Sequence, residues 1–212
     1  MKKLLYITAN SKPEELSASK SVARTFVNKF MKKYPEFKLE EVDLYKDHIP
    51  RLEYQYFQSR NAMINDEALS KLSENEQKEA KRIIALAEQF KSADVYVFAV
   101  PMWSLSFPAP VKEYLDCIMQ TGVTLDENFK GLLDDKRRTA VYIQSSGAKI
   151  PMLISPFLNK GLNYMEDMLK FMGIKRVEKL LVDGTGMTAN EQSKAVSDAR
   201  DRVDDVIDEI RV

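Results

Sequence analysis

Five apolar runs of strand length punctuate the chain. The first is Leu4-Leu5-Tyr6-Ile7-Thr8, which reads as a buried strand and is closed by a polar stretch at 10–15. Residues 17–33 follow with Val22, Phe26, Val27 and Phe30 at helical spacing. Residues 37–44 alternate apolar and polar positions as a weaker strand. Residues 45–69 mix turn formers with polar residues and carry no clear period. Ser73-x-x-Glu76 has the form of a capping box and opens a helix to about residue 90, with Ile83, Ile84, Ala87 and Phe90 inward. The clearest buried strand is Val95-Tyr96-Val97-Phe98-Ala99-Val100. Pro108 and Pro110 fit the first turn of the next helix, which buries Val111, Leu115, Ile118 and Met119 and is expected to end at Gly122. A fourth strand is expected at 138–144, a helix from Ser155-Pro156 to Gly173, and a fifth strand at 177–182. Thr188-x-x-Glu191 then caps a final helix running nearly to the last residue.

Strand and helix alternate five times. With buried strands, this predicts an α/β fold: a five-stranded parallel sheet covered by helices on both faces. Right-handed crossovers leave few winding orders, and 2-1-3-4-5 suits five strands. No linker or internal repeat divides the chain, so residues 1–212 are expected to form a single domain.

Composition narrows the partners. Hydrophobic residues make up 44% of the 212, ordinary for a soluble globular protein. Thirty-two basic and 32 acidic residues balance to a formal charge of zero. Nucleic acid and anionic membranes call for a basic excess, so neither is an expected partner. One cysteine, Cys117, excludes an internal disulfide and a cysteine-rich metal site, and the cytoplasm is the default compartment. The run after Lys2-Lys3 is too short to span a membrane, and no signal-cleavage pattern follows it.

In an open α/β sheet, ligands sit beyond the carboxyl ends of the strands at the topological switch point. The loops after strands one, three and four must therefore be read together. In the first, Ser17 and Ser19 stand where a helix begins, suited to a phosphate through free N–H groups and hydroxyls; taken alone, plain N-capping is the simpler explanation. The second, Pro101-Met102-Trp103-Ser104-Leu105-Ser106-Phe107-Pro108, holds the only tryptophan. Its apolar residues can flank a flat heterocycle, or pack into a core or subunit interface. The third, Ser145-Ser146-Gly147-Ala148, allows close backbone approach to a ligand, or is an ordinary tight turn.

With these residues the chain resembles, nearly end to end, the FMN-dependent NADH-azoreductase family, also described as FMN-dependent NADH:quinone oxidoreductases, of flavodoxin-like fold. The family's Ser-x-Ser is matched by Ser17-Ala18-Ser19. Its Pro-Met-aromatic-Asn-Phe followed by an apolar residue and proline is matched by 101–108. Its Leu-Lys-x-Tyr-hydrophobic-Asp appears as Val111-Lys112-Glu113-Tyr114-Leu115-Asp116, and its Ala-Gly-Val-Thr-Phe as Thr121-Gly122-Val123-Thr124-Leu125. Tyr164-Met165 and Phe171-Met172-Gly173 match a later motif.

The resemblance implies that Asn10, Ser17, Ala18 and Ser19 hold the FMN phosphate and ribityl chain. Met102, Trp103, Ser104 and Leu105 would border the isoalloxazine, and Ser145, Ser146, Gly147 and Ala148 its polar edge. It implies a homodimer with the site at the subunit interface, and two-electron transfer from NADH or NADPH to quinones and azo compounds. One open flavin face shared by donor and acceptor means ping-pong turnover. The chain departs from the family at Ser104 and Leu105, where Asn and Phe are usual, and at Ser146 and Ala148.

A flavin needs no side-chain nucleophile. That agrees with the absence of a Walker loop and of zinc spacing, and with a single histidine, His48, read as a surface or interface residue. Cys117 reads as a small core residue. Gly184-Thr185-Gly186-Met187-Thr188-Ala189 mimics a dinucleotide fingerprint, but no strand follows to supply a ribose-binding acid, so it reads as a turn and helix cap. The other reading of the whole chain is an FMN electron carrier or binding module without organic turnover. Such shuttles tend to be strongly acidic, and this chain is neutral.

Overall fold

The computed structural model describes residues 1–151 and 154–211. The elements run β1 (Lys2–Thr8), α1 (Ala18–Lys33), β2 (Phe37–Asp43), β3 (Phe57–Ser59), β4 (Ala62–Met63), α2 (Asp66–Leu69), α3 (Glu74–Ser92), β5 (Val95–Pro101), α4 (Ala109–Ile118), β6 (Thr139–Ser146), α5 (Ser155–Leu158), α6 (Lys160–Phe171), β7 (Arg176–Asp183), α7 (Ala189–Arg200) and α8 (Val203–Asp208).

Every strand pair in the five-stranded sheet is parallel, and the order is β2-β1-β5-β6-β7. The labels differ from the expected 2-1-3-4-5 because the unassigned stretch supplies two strands of its own. β3 and β4 form a separate antiparallel pair. Counted within the large sheet alone, its second strand leads, followed by the first, third, fourth and fifth.

Alternation along the strands divides the core in two. Leu5, Ile7, Tyr96, Phe98, Ala140 and Tyr142 face one side, under α3, α4 and α6. Leu4, Tyr6, Val95, Val97, Val141 and Ile143 face the other, under α1, α7 and α8. All seven residues of β5 are buried, as a central strand covered on both faces requires.

The helix ends follow local chemistry where a cap is present. Ser73 and Glu76 close a reciprocal capping box on α3, and Thr188 and Glu191 close another on α7. Gly122 does not end α4, contrary to expectation. The helix stops at Ile118, because the Thr124 hydroxyl donates to the Ile118 carbonyl at 2.7 Å and accepts from Gln120 N–H at 3.1 Å. Gly122, at φ 85°, lies in the turn beyond. The helix expected from 155 to 173 is two segments interrupted at Asn159, and the final helix is interrupted at Asp201 and Arg202.

Candidate functional site

The first loop is built around Ser17. This residue caps α1: its Oγ accepts from Lys20 N–H at 3.4 Å and from Asn10 Nδ2 at 2.9 Å. Asn10 Oδ1 in turn accepts from Lys12 N–H at 3.0 Å. The buried Lys20 ammonium reaches back under the loop to the carbonyls of Asn10 and Lys12, 3.4 and 3.2 Å away, and to Asp43 Oδ2 at 3.4 Å. The N–H groups of Ala18 and Ser19 have no acceptor among the described residues. These are the free donors of a helix start, where the positive end of the dipole also points. Ser17 therefore caps the helix and leaves these two N–H groups free. Ser19 is fully buried behind it, the two hydroxyl oxygens 3.4 Å apart.

The loop after β5 is tied down by backbone. Met102 N–H donates to the Ser145 carbonyl at 2.7 Å, and Gly161 N–H to the Leu105 carbonyl at 3.2 Å. Trp103 and Ser106 exchange both of their N–H···O bonds, at 2.8 and 2.9 Å, across Ser104 and Leu105. Both central residues have positive φ, 49° and 64°, the mirror-image turn that glycine and asparagine enter readily. Serine and leucine are held there under strain. A Cβ at Gly161 would lie 2.8 Å from the backbone of Ser106 and Phe107, so only glycine lets α6 approach. Trp103 and Leu105 remain about half exposed at the rim, and the Trp103 ring meets Tyr45 edge-on at 6.4 Å.

The loop after β6 is held from behind. The Ser146 hydroxyl is shared between Asp183 Oδ1 at 2.6 Å, on its register partner in β7, and the Ala148 carbonyl at 2.7 Å. Thr185 donates its N–H and its hydroxyl to the Ser146 carbonyl, at 3.0 and 3.1 Å, and Gly186 N–H donates to the Gly147 carbonyl at 2.9 Å.

These loops enclose one cleft of about 160 Å³ at the carboxyl ends of β1, β5 and β6. Of the candidate site residues, Asn10, Ser17, Ala18, Met102, Trp103, Ser145, Ser146 and Gly147 line it. Ser19 stands behind the wall, and Ser104, Leu105 and Ala148 lie outside the lining. The structure adds Lys12, Leu16, Pro101, Thr185 and Gln192. Thr185 belongs to the segment read only as a turn and cap. It is both of those, with Gly184 and Gly186 at positive φ, and it also forms a fourth wall. The signal was the switch-point argument itself, extended to the loop after the fifth strand of the large sheet.

Other reactive groups lie elsewhere. His48 is exposed, 2.6 Å from Glu79, and does not line the cleft. Cys117 is buried with its thiol pushed up to about 12 by desolvation, and Sγ donates to the Pro50 carbonyl. A larger cavity at the opposite end of the strands is lined by Lys136, Arg137, Arg138 and Arg211, and its basic groups are largely engaged by neighbouring acids. Among the described residues no cluster of His, Cys, Asp or Glu is arranged to hold a metal, and no helix is long and apolar enough to cross a membrane.

A doubly covered parallel sheet with its cleft at the switch point defines a flavodoxin-like protein, and the family model for the flavodoxin-like fold matches residues 2–207. The chain is 58% identical over 214 residues to the FMN-dependent NADH:quinone oxidoreductase of Clostridium botulinum, covering 99% of this chain and all of that one. It is 56% identical over 213 residues, with the same coverage, to the enzyme of that name from Ruminiclostridium cellulolyticum. The chain belongs to the family of FMN-dependent NADH:quinone oxidoreductases. Among solved structures, an FMN-dependent NADH-azoreductase from Bacillus anthracis in complex with FMN shares the fold, with a TM-score of 0.82 at 24% identity over 98% of each chain.

Proposed function

We propose that the chain is one flavodoxin-like domain that binds FMN in this cleft and passes two electrons from NADH, or NADPH, to quinones and azo compounds in the cytoplasm. The observation that carries the reading is the convergence of unfilled N–H donors at the start of α1 with an apolar loop and a small-residue loop. The donors suit a phosphate, and the two loops suit the edge and face of a flat ring. Family membership supports the same reading.

FMN, when bound, supplies the ring that accepts and gives up electron pairs. The chain's own residues position it. Asn10, Ser17, Ala18 and Ser19 hold the phosphate and the ribityl chain; for Ser19 the backbone N–H serves, since its side chain faces inward. Met102 and Trp103 border the ring, with Ser104 and Leu105 at the rim where an acceptor arrives. Ser145, Ser146, Gly147 and Ala148 meet the polar edge. The cleft is open on one side. We assign a homodimer, as the family resemblance implies, whose second copy would wall that open side.

The test is optical. Purified protein with FMN should be yellow, bleached by NADH and restored by a quinone. Initial rates over both substrates should give parallel double-reciprocal lines, because donor and acceptor need the same open face. A colourless protein that gains no spectrum with added FMN overturns the reading, and intersecting lines overturn the shared face.

A further inference from the structure

We infer that Asp183 sets the reduction potential of the bound flavin, acting as a fixed negative charge one hydrogen bond behind the cleft wall. The inference rests on the proposed FMN site. Ser146 lines the cleft and is nearly buried. Its hydroxyl lies 2.6 Å from Asp183 Oδ1, so the carboxylate stands directly behind one wall of the proposed FMN site.

The carboxylate is poorly neutralised. Among the described residues Asp183 has no ion pair within 4.0 Å. Lys149, Lys179 and Arg202 line the adjoining cleft with Asp183 and Asp198, but two of these three cations are engaged elsewhere. Lys179 pairs with Glu166 at 2.5 Å, and Arg202 donates to the Leu181 carbonyl. The Lys149 stem packs toward Gly184. Geometry also fixes the carboxylate, because Ser146 and Asp183 are register partners and Thr185 and Gly186 continue the pairing past the strand ends.

The consequence follows from charge balance. Hydride transfer from NADH adds two electrons and one proton to the oxidised ring and releases NAD⁺. The ring therefore passes from neutral to a single negative charge. A fixed carboxylate nearby disfavours the charged product and leaves the neutral oxidised ring almost untouched. Asp183 thus lowers the potential, making the reduced protein a stronger donor to its acceptor.

The experiment is a redox titration of FMN-loaded protein against a dye of known potential, together with the Kd of oxidised and reduced FMN. Asp183→Asn keeps the shape and an acceptor for Ser146 but removes the charge. It should raise the ratio of oxidised to reduced Kd about tenfold, the scale of one charge at short range near a protein surface. For a two-electron couple this is a rise of about 30 mV. Ser146→Ala removes the hydrogen bond but keeps the carboxylate, and should give no rise. An unchanged or lower potential in Asp183→Asn, or an equal rise in Ser146→Ala, overturns the inference and leaves the FMN site standing. Wild-type protein that takes up no FMN overturns the site and the inference with it.

Discussion

The loops after β1 and β5 face each other across one cleft and are built on opposite plans. The first is polar and cross-linked by side chains: Asn10, Ser17 and the buried Lys20 bond to one another's segments. The second is apolar and half exposed, takes its hydrogen bonds among the described residues from backbone, and carries two residues at positive φ. The difference teaches how the burden of binding is divided. On the proposed reading the first loop, arranged around charge, would distinguish ligands by whether they carry a phosphate. The second, arranged around shape, would set through its strain and its contact with Gly161 where a flat ring can lie.

The strongest test of this division is Ser17→Ala/Ser19→Ala. Loss of the Asn10–Ser17–Ser19 network should weaken FMN binding about 10- to 100-fold, the range for hydrogen bonds to charged groups. Riboflavin binding, measured in the same fluorescence titration, should change far less; equal losses would show that the serines act only as caps. Next is Gly161→Ala, which puts a methyl against the Ser106 backbone. It should cost about 1–3 kcal/mol of stability in urea unfolding. It should also weaken FMN and riboflavin alike, and selective loss of FMN would break the comparison. Leu105→Gly relieves the positive φ at the cost of a half-exposed side chain's contacts, and should stabilise by about 1 kcal/mol in the same urea unfolding.

The smallest expected effect concerns pH. Arg24 forks onto both oxygens of Glu41, and that hydrogen-bonded pairing holds the Glu41 carboxyl below its usual range. A depressed carboxylate contributes stability that is full above its unfolded value and is lost as pH falls through the folded one. Arg24→Gln should therefore lower stability most at neutral pH and least in acid, so that the acid limb of stability against pH flattens, measured as midpoint shifts in urea.

How much of this was legible in the chain follows the range of the forces involved. The capping boxes at Ser73 and Thr188 are local, and they read correctly from four residues each. The three central strands of the large sheet announced themselves through burial on both faces, and β2 through its alternation. Residues 45–69 did not, because their form rests on distant partners. Tyr45 meets Trp103, Asn61 accepts from Thr121 N–H, and the Arg60 guanidinium covers the Phe129 ring. Gly122 misled for the same reason in miniature, since the hydroxyl of Thr124 ends the helix earlier. Eight of the twelve expected site residues line the cleft, because the switch-point rule needs only strand order. The contribution of Thr185 escaped notice since it depends on pairing with Ser146, which no spacing within the segment encodes.

Trp103 is the only indole in the chain, and it stands at the lip of the cleft. All tryptophan emission therefore originates at the cleft, with no background from distant rings. Any chromophore that absorbs in the near ultraviolet and blue would, lodged in that cleft, drain the excited state by energy transfer. The molecule thus carries its own optical gauge of occupancy. Dimming on filling and recovery on emptying can be followed in real time without any label.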